Sequence, residues 1–125
     1  MTKIIAMYLP QYHETEDNNK WWGKGFTDWI SVKNSEKLFV GHRQPREPLG
    51  DRYYDLSDVD NIRWQVDLAK KYGVYGFGIY HYWFSSQKQT LTKPAELLLE
   101  NKDINIYPLN KDNIFVNVDH KKINI

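Results

Sequence analysis

No cysteine occurs among the 125 residues. Disulfides, thiolate nucleophiles and zinc–thiolate sites are excluded with it. A surplus of charge of one sign is missing as well. Lys and Arg number 17 against 16 Asp and Glu, a formal net charge of +1, so no long-range field draws the chain to nucleic acid. Long apolar runs are also absent. The apolar stretch at residues 3–9 is too short for a signal-peptide core or a membrane span and stops at Pro10; it reads as a first buried strand. An uncleaved, non-spanning chain in the cytoplasm is the expectation. Histidine is sparse: His13, His42, His81 and His120 are far apart, with no i, i+4 pair and no acidic partner at ligand spacing. Neither a metal nor another cofactor is expected. No Gly-x-Ser-x-Gly nucleophile motif occurs, and the glycines at 73, 76 and 78 fall in a strand-like stretch, which argues against a phosphate-cradling loop.

What is present in excess is aromatic surface. Phe, Trp and Tyr make up 15% of the chain, with five Trp and nine Tyr. They fall into two groups. Tyr8, Tyr12, Trp21, Trp22, Phe26 and Trp29 form one; Tyr75, Phe77, Tyr80, Tyr82, Trp83 and Phe84 form the other. With 41% hydrophobic and 26% charged residues the composition is that of a globular protein.

The apolar pattern predicts alternating strands and helices. After the first strand, residues 10–56 are dense in Gly and Pro and read as a long irregular excursion, ordered by its aromatic content. Residues 58–72 are helical by pattern: Ser57 can cap, Val59, Ile62, Val66 and Ala69 make a buried stripe, and Gly73 stops the helix. Residues 74–80 are apolar on both faces, as in a strand of a covered parallel sheet. A second helix is predicted at 93–101 with Thr92 as cap and Pro94 in its first turn, then a third strand at 112–118 and a polar tail. The order is that of parallel β/α units with right-handed crossovers, an α/β fold. A closed eight-stranded barrel of this kind takes about 250 residues. The chain therefore reads as a single partial domain, truncated after about three strands, whose uncovered barrel edges would favour self-association.

In parallel α/β folds, sites form at the carboxyl ends of strands. Here the first strand ends in Leu9-Pro10-Gln11-Tyr12-His13 and the second in Tyr80-His81-Tyr82-Trp83-Phe84. Rings interleaved with a few polar groups suit a sugar, which offers apolar C–H faces to a ring and hydroxyls to hydrogen-bonding side chains. Gln11, His13, His81 and Tyr82 could orient hydroxyls, and Trp22, Trp29 or Trp83 could provide stacking surface. Phe77, Tyr75 and Phe84 read as core instead. Glycosidic chemistry wants paired carboxylates. No pair stands out: Asp28 is the best single acid and Asp119 the second, and either could be an ordinary turn-capping residue.

Taken in order, Tyr8-Leu9-Pro10-Gln11-Tyr12-His13, Trp21-Trp22-Gly23-Lys24-Gly25-Phe26-Thr27-Asp28-Trp29, Leu38-Phe39, Gly41-His42-Arg43-Gln44-Pro45, Tyr54-Asp55-Leu56, Tyr72-Gly73-Val74-Tyr75-Gly76-Phe77 and Tyr80-His81-Tyr82-Trp83-Phe84 resemble the WbsX-type glycosyltransferase family. That family is itself similar to the glycoside hydrolases that include endo-α-mannosidases (glycoside hydrolase family 99). The resemblance covers residues 4–103 and leaves 104–125 as a divergent strand and tail. It implies the first part of a (β/α)8 TIM-type barrel and glycosyl transfer in bacterial polysaccharide or lipopolysaccharide synthesis. It also implies a carbohydrate or nucleotide-sugar substrate, with Tyr8, Gln11, His13, Trp22, Asp28, Trp29, Tyr80, His81, Tyr82 and Trp83 lining the sugar site. Two departures matter. Asp28 replaces the family's usual Glu, and the stretch Phe115-Val116-Asn117-Val118-Asp119-His120 keeps at most the Asn of the family's Trp-Ala-Asn-Glu-like strand end. No catalytic residue carries over, so an inactive or incomplete fragment is expected. A hydrolase fragment and a non-catalytic sugar-binding module are the alternatives.

Overall fold

The computed structural model describes residues 2–104. The predicted third strand at 112–118 and the candidate Asp119 lie outside the described residues. The chain divides into two compact units, one holding residues 12–55 and the other the chain on either side of them.

The flanking unit is built on two parallel strands, β1 (Ile5–Tyr8) and β2 (Gly76–Ile79). They run in register, with Ile5 opposite Gly76, Ala6 opposite Phe77, Met7 opposite Gly78 and Tyr8 opposite Ile79. Backbone bonds extend the ladder at both ends: the Tyr75 N–H donates to the Ile4 carbonyl at 2.7 Å and the Tyr80 N–H to the Tyr8 carbonyl at 2.9 Å. The glycine at 78 answers to close packing. A Cβ there would stand 3.0 Å from the Met7 sulfur and 3.8 Å from Ile5 Cγ2. Gly76 has no such neighbour, so of the two strand glycines only Gly78 is placed by close approach.

Helix α3 spans Val59–Lys71 and precedes β2. Its start differs from the sequence expectation: Asp58, not Ser57, is the N-cap, and its carboxylate accepts from the Asp60 N–H at 2.9 Å. A carboxylate at this position satisfies an orphan donor and also meets the positive end of the helix dipole. The buried stripe narrows to Ile62 and Val66. Helix α4 (Lys93–Glu100) begins where the pattern places it, with Pro94 in its first turn and Thr92 at the cap, though without a side-chain bond. Leu98 of α4 and Ile104 join Leu56, Ile62, Val66 and Ile79 in the core. Outside that core, Arg63 of α3 bonds the Asp103 carboxylate and reaches Asn101 Oδ1 at 3.4 Å, tying the two helices together at the surface. The bond from Arg63 holds the Asp103 carboxyl below its ordinary range.

Between β2 and α4 lies an antiparallel hairpin that the sequence pattern does not announce: β3 (Tyr82–Ser85) and β4 (Lys88–Thr90), with an irregular register between Trp83 and Ser85. Its two-residue connection, Ser86-Gln87, is braced by the Gln87 N–H donating to Ser85 Oγ at 3.2 Å. Phe84, expected in the core, is exposed on it. Side chains alternate across a strand, so a pattern that reads as continuously aromatic still sends some rings to solvent.

Residues 12–55 are less irregular than predicted. They contain two short helices, α1 (Glu16–Trp22) and α2 (Asp28–Lys33), and a 3-10 turn at Leu49–Asp51. Thr15 caps α1 by accepting from the Asn18 N–H at 3.1 Å, and Glu16 and Asp17 occupy its first turn. Helices of this length have little propensity-driven stability of their own, and the density of Gly and Pro around them hides them from a periodicity reading.

Ile62 is 1% exposed and Leu68 of the same helix is 43% exposed. Ile62→Ala should therefore cost about 2–5 kcal/mol, whereas Leu68→Ala should stay within about 0.5 kcal/mol. Urea unfolding followed by circular dichroism decides this; equal losses would mean that α3 does not bury the Ile62 face.

Candidate functional site

Each unit contributes its own candidates. In the flanking unit, parallel in-register pairing makes both strands end together, because Tyr8 and Ile79 are partners. Leu9-Pro10-Gln11 and Tyr80-His81-Tyr82 thus leave the sheet at one end. Gln11, His81 and Tyr82 are half-buried there and Tyr80 is exposed. Gln11 is held by its own N–H, which donates to the Leu9 carbonyl at 3.0 Å. Trp83 sits one residue further on, opposite Gln89 in the hairpin register. Tyr8 has a different task. Its ring stacks on Phe77 with centroids 4.6 Å apart, and its hydroxyl bonds the Gln65 side-chain oxygen on α3. The phenol fastens strand to helix.

In residues 12–55 the organising residue is Trp29. Its indole N–H donates to the Tyr54 carbonyl at 2.8 Å. Its ring meets Tyr12 at 4.2 Å, Tyr54 at 5.1 Å and Tyr53 at 5.3 Å, the two latter nearly perpendicular. Tyr12 and Tyr54 also meet edge to face at 5.7 Å, and the Lys33 ammonium lies 3.9 Å from the Tyr53 ring centre. Edge-to-face pairs of this kind are worth about 0.5–1.5 kcal/mol each beyond the area they bury. Trp29 is therefore the hub of this unit's aromatic contacts. Trp22 is the contrary case: it stacks on Phe26 with centroids 5.6 Å apart and planes 25° apart, yet is 70% exposed.

His13 is 2% exposed, and its Nδ1 has no hydrogen-bond partner among the described residues. Burial lowers its pKa, because a desolvated imidazolium is costly; the carboxylates of Asp55 and Asp28 act in the opposite direction without overcoming it. A neutral imidazole keeps one nitrogen as acceptor and one as donor, the form that can bond a hydroxyl in either sense. Asp28 is the first residue of α2 and half-buried. There its charge serves the helix dipole as well as His13. The Gln44 side chain is a further polar group that the residue patterns did not single out: both its Nε2 and Oε1 are buried without a partner among the described residues. Its only signal in the sequence is its place between His42-Arg43 and Pro45.

Among the described residues no three His, Asp or Glu side chains come together as a metal-binding group. No helix among them is long and apolar enough to cross a membrane.

Comparison with known proteins supplies the context. Residues 4–109 match the family described as Glycosyltransferase WbsX. The chain is also similar to the "Uncharacterized protein WxcX" of Xanthomonas campestris pv. campestris strain B100, 45% identical over 84 residues, which is 67% of this chain and 12% of that protein. The protein of the same description from a second strain of that organism matches to the same extent. The chain thus spans only about an eighth of the curated relatives it matches, 12% of their length. No solved structure matches it.

The buried His13 carries a pH signature. Its ordinary pKa of 6.5 applies to the unfolded chain, and the folded value lies below it. As pH falls, the unfolded chain takes up the proton first. The contribution to stability is full above about pH 6.5 and is lost progressively below it, down to the folded pKa. Wild type should lose more stability than His13→Gln between about pH 7.5 and about pH 5.5 in urea titrations. Identical slopes for the two proteins would mean that His13 protonates freely in the folded state.

Proposed function

The chain belongs to the glycosyltransferase WbsX family, and on that premise we propose that it supplies a sugar-binding part of a protein that transfers glycosyl groups in bacterial polysaccharide or lipopolysaccharide synthesis. The observation that carries this reading is the family match itself, which runs through both units, from residue 4 to residue 109. The residues inside the match have suitable chemistry. Gln11, His81 and Tyr82 stand at one end of the parallel pair with polar atoms for hydroxyls, and Trp22 holds an exposed ring for a C–H face. The substrate is a carbohydrate or a nucleotide sugar.

The order β1, α3, β2, α4 and the parallel register of the strands support a further reading, that these elements open a (β/α)8 barrel. In such a barrel the ends of β1 and β2 would lie on the site-bearing face. The carboxylates that perform glycosyl chemistry are not assigned to residues of this chain.

Titration of the whole chain by calorimetry with GDP-mannose, UDP-glucose and α-mannobiose tests the carbohydrate reading. Saturable binding of at least one is expected, with a dissociation constant on the order of 1 mM for a shallow site with few contacts. Absence of binding to all three at high millimolar concentration would overturn it.

A further inference from the structure

We propose that Asn19 is a positioning residue that sets the Trp22 indole as a rigid stacking platform for a pyranose ring. The inference rests on the carbohydrate reading above and deepens it by naming the residue that meets the sugar face and the residue that holds it ready.

Helix α1 ends at Gly23, whose N–H donates to the Asn19 carbonyl at 3.0 Å with a φ of +97°. The chain then turns through Lys24 and Gly25, the latter at φ +82°. Two positive-φ glycines in three residues would leave this loop free to sample many shapes, were it not clamped by one amide side chain. Asn19 Oδ1 accepts from the Gly25 N–H at 3.0 Å and from the Phe26 N–H at 3.2 Å. Asn19 Nδ2 donates to Glu14 Oε1 at 2.5 Å, and the same carboxylate oxygen accepts from the Gly25 N–H at 3.3 Å. The amide therefore uses its acceptor and its donor together to brace the loop. The braced loop returns the Phe26 ring to lie against Trp22, 5.6 Å centre to centre.

Trp22 is backed by the Phe26 ring, yet remains 70% exposed. Trp21 next to it is 76% exposed; among the described residues no ring stacks on it, and the Lys20 ammonium lies 6.0 Å from its centre. An aromatic face held in place before binding loses little conformational freedom when a ligand arrives, which is where shallow sites gain affinity. A flat, exposed indole matches a pyranose, which offers a C–H face for the ring and hydroxyls for the N–H at its edge.

The test is a titration of the whole chain with α-mannobiose, followed through the Trp22 indole Hε1 resonance and through the Gly25 and Phe26 amides. In wild type the Trp22 resonance should shift and saturate. Trp22→Ala should weaken binding about three- to tenfold, the worth of one ordered aromatic contact, and Trp21→Ala should leave it unchanged. Asn19→Ala should weaken binding by a similar factor, with the Gly25 and Phe26 amides displaced and the Trp22 resonance broadened before any sugar is added. If Asn19→Ala unfolds the chain, Gly25→Ala is the second variant; it strains the loop at φ +82° without touching α1 and should give the same loss and the same broadening. Wild-type affinity in Trp22→Ala, with the sugar still bound, overturns the platform and leaves the carbohydrate reading standing. Wild-type affinity in Asn19→Ala, with the loop amides displaced, overturns the positioning role. Binding of GDP-mannose no tighter than GDP alone, with the Trp22 resonance shifted equally by both and no response to α-mannobiose, assigns the Trp22 face to a nucleobase and overturns the proposal. No binding of any probe overturns the carbohydrate reading and the proposal together.

Discussion

The flanking unit depends on the in-register parallel pairing of Ile5–Tyr8 with Gly76–Ile79. Parallel neighbours cannot be joined by a tight turn, so the chain must cross over between them, and a helix is the usual means. Everything from residue 9 to residue 75 lies in that connection. The crossing brings α3 with it, and α3 supplies Ile62 and Val66 to the core that also holds Leu56 and Ile79. It also brings Gln65, which takes the Tyr8 hydroxyl. The register then decides what the strands can offer a ligand. Since Tyr8 stands opposite Ile79, the segments after them leave the sheet at the same level.

Residues 12–55 follow a different logic. Their helices are short, and burial by regular elements is slight: neither α1 nor α2 contains a fully buried residue. Order comes from aromatic edges and from side chains that bond backbone. Trp29 joins Tyr12, Tyr53 and Tyr54, and Asn19 with Glu14 closes the loop after α1. Such a unit spends its polar side chains locally, and this explains why an abundance of turn-forming residues coexists with defined structure. The glycines at 23 and 25 are there because the backbone turns at positive φ, not to make room for a neighbour, since nothing lies within 4 Å of a Cβ built at either.

The aromatic residues that looked alike as letters divide by physical role. Tyr8 is stacked and hydrogen-bonded inside its unit, Trp29 is the hub of a cluster, and Trp22 is backed on Phe26 and open. His13 Nδ1 and the Gln44 amide add buried polar atoms without a partner among the described residues to the same stretch of chain as Trp29. Buried groups of this sort are costly to leave unbonded.

By itself the sequence determined what local chemistry determines. The run at 3–9, the stripe through Ile62 and Val66 with Gly73 behind it, and Pro94 just inside a helix start are each legible, because period, caps and stops are properties of neighbouring residues. The ordered series of motifs from Tyr8 to Phe84 was legible in the same way and carried the family, which the match over 4–109 shows. Only the tertiary structure decided the rest. Asp58 displaced Ser57 as cap by a choice between two adjacent acceptors. The hairpin at 82–90 arose where aromatic residues alone gave no period, and Phe84 turned outward on it. Whether a tryptophan becomes the hub of a cluster depends on partners 25 residues away, as with Trp29 and Tyr54. Those are properties of three-dimensional neighbours, which spacing along the chain does not encode.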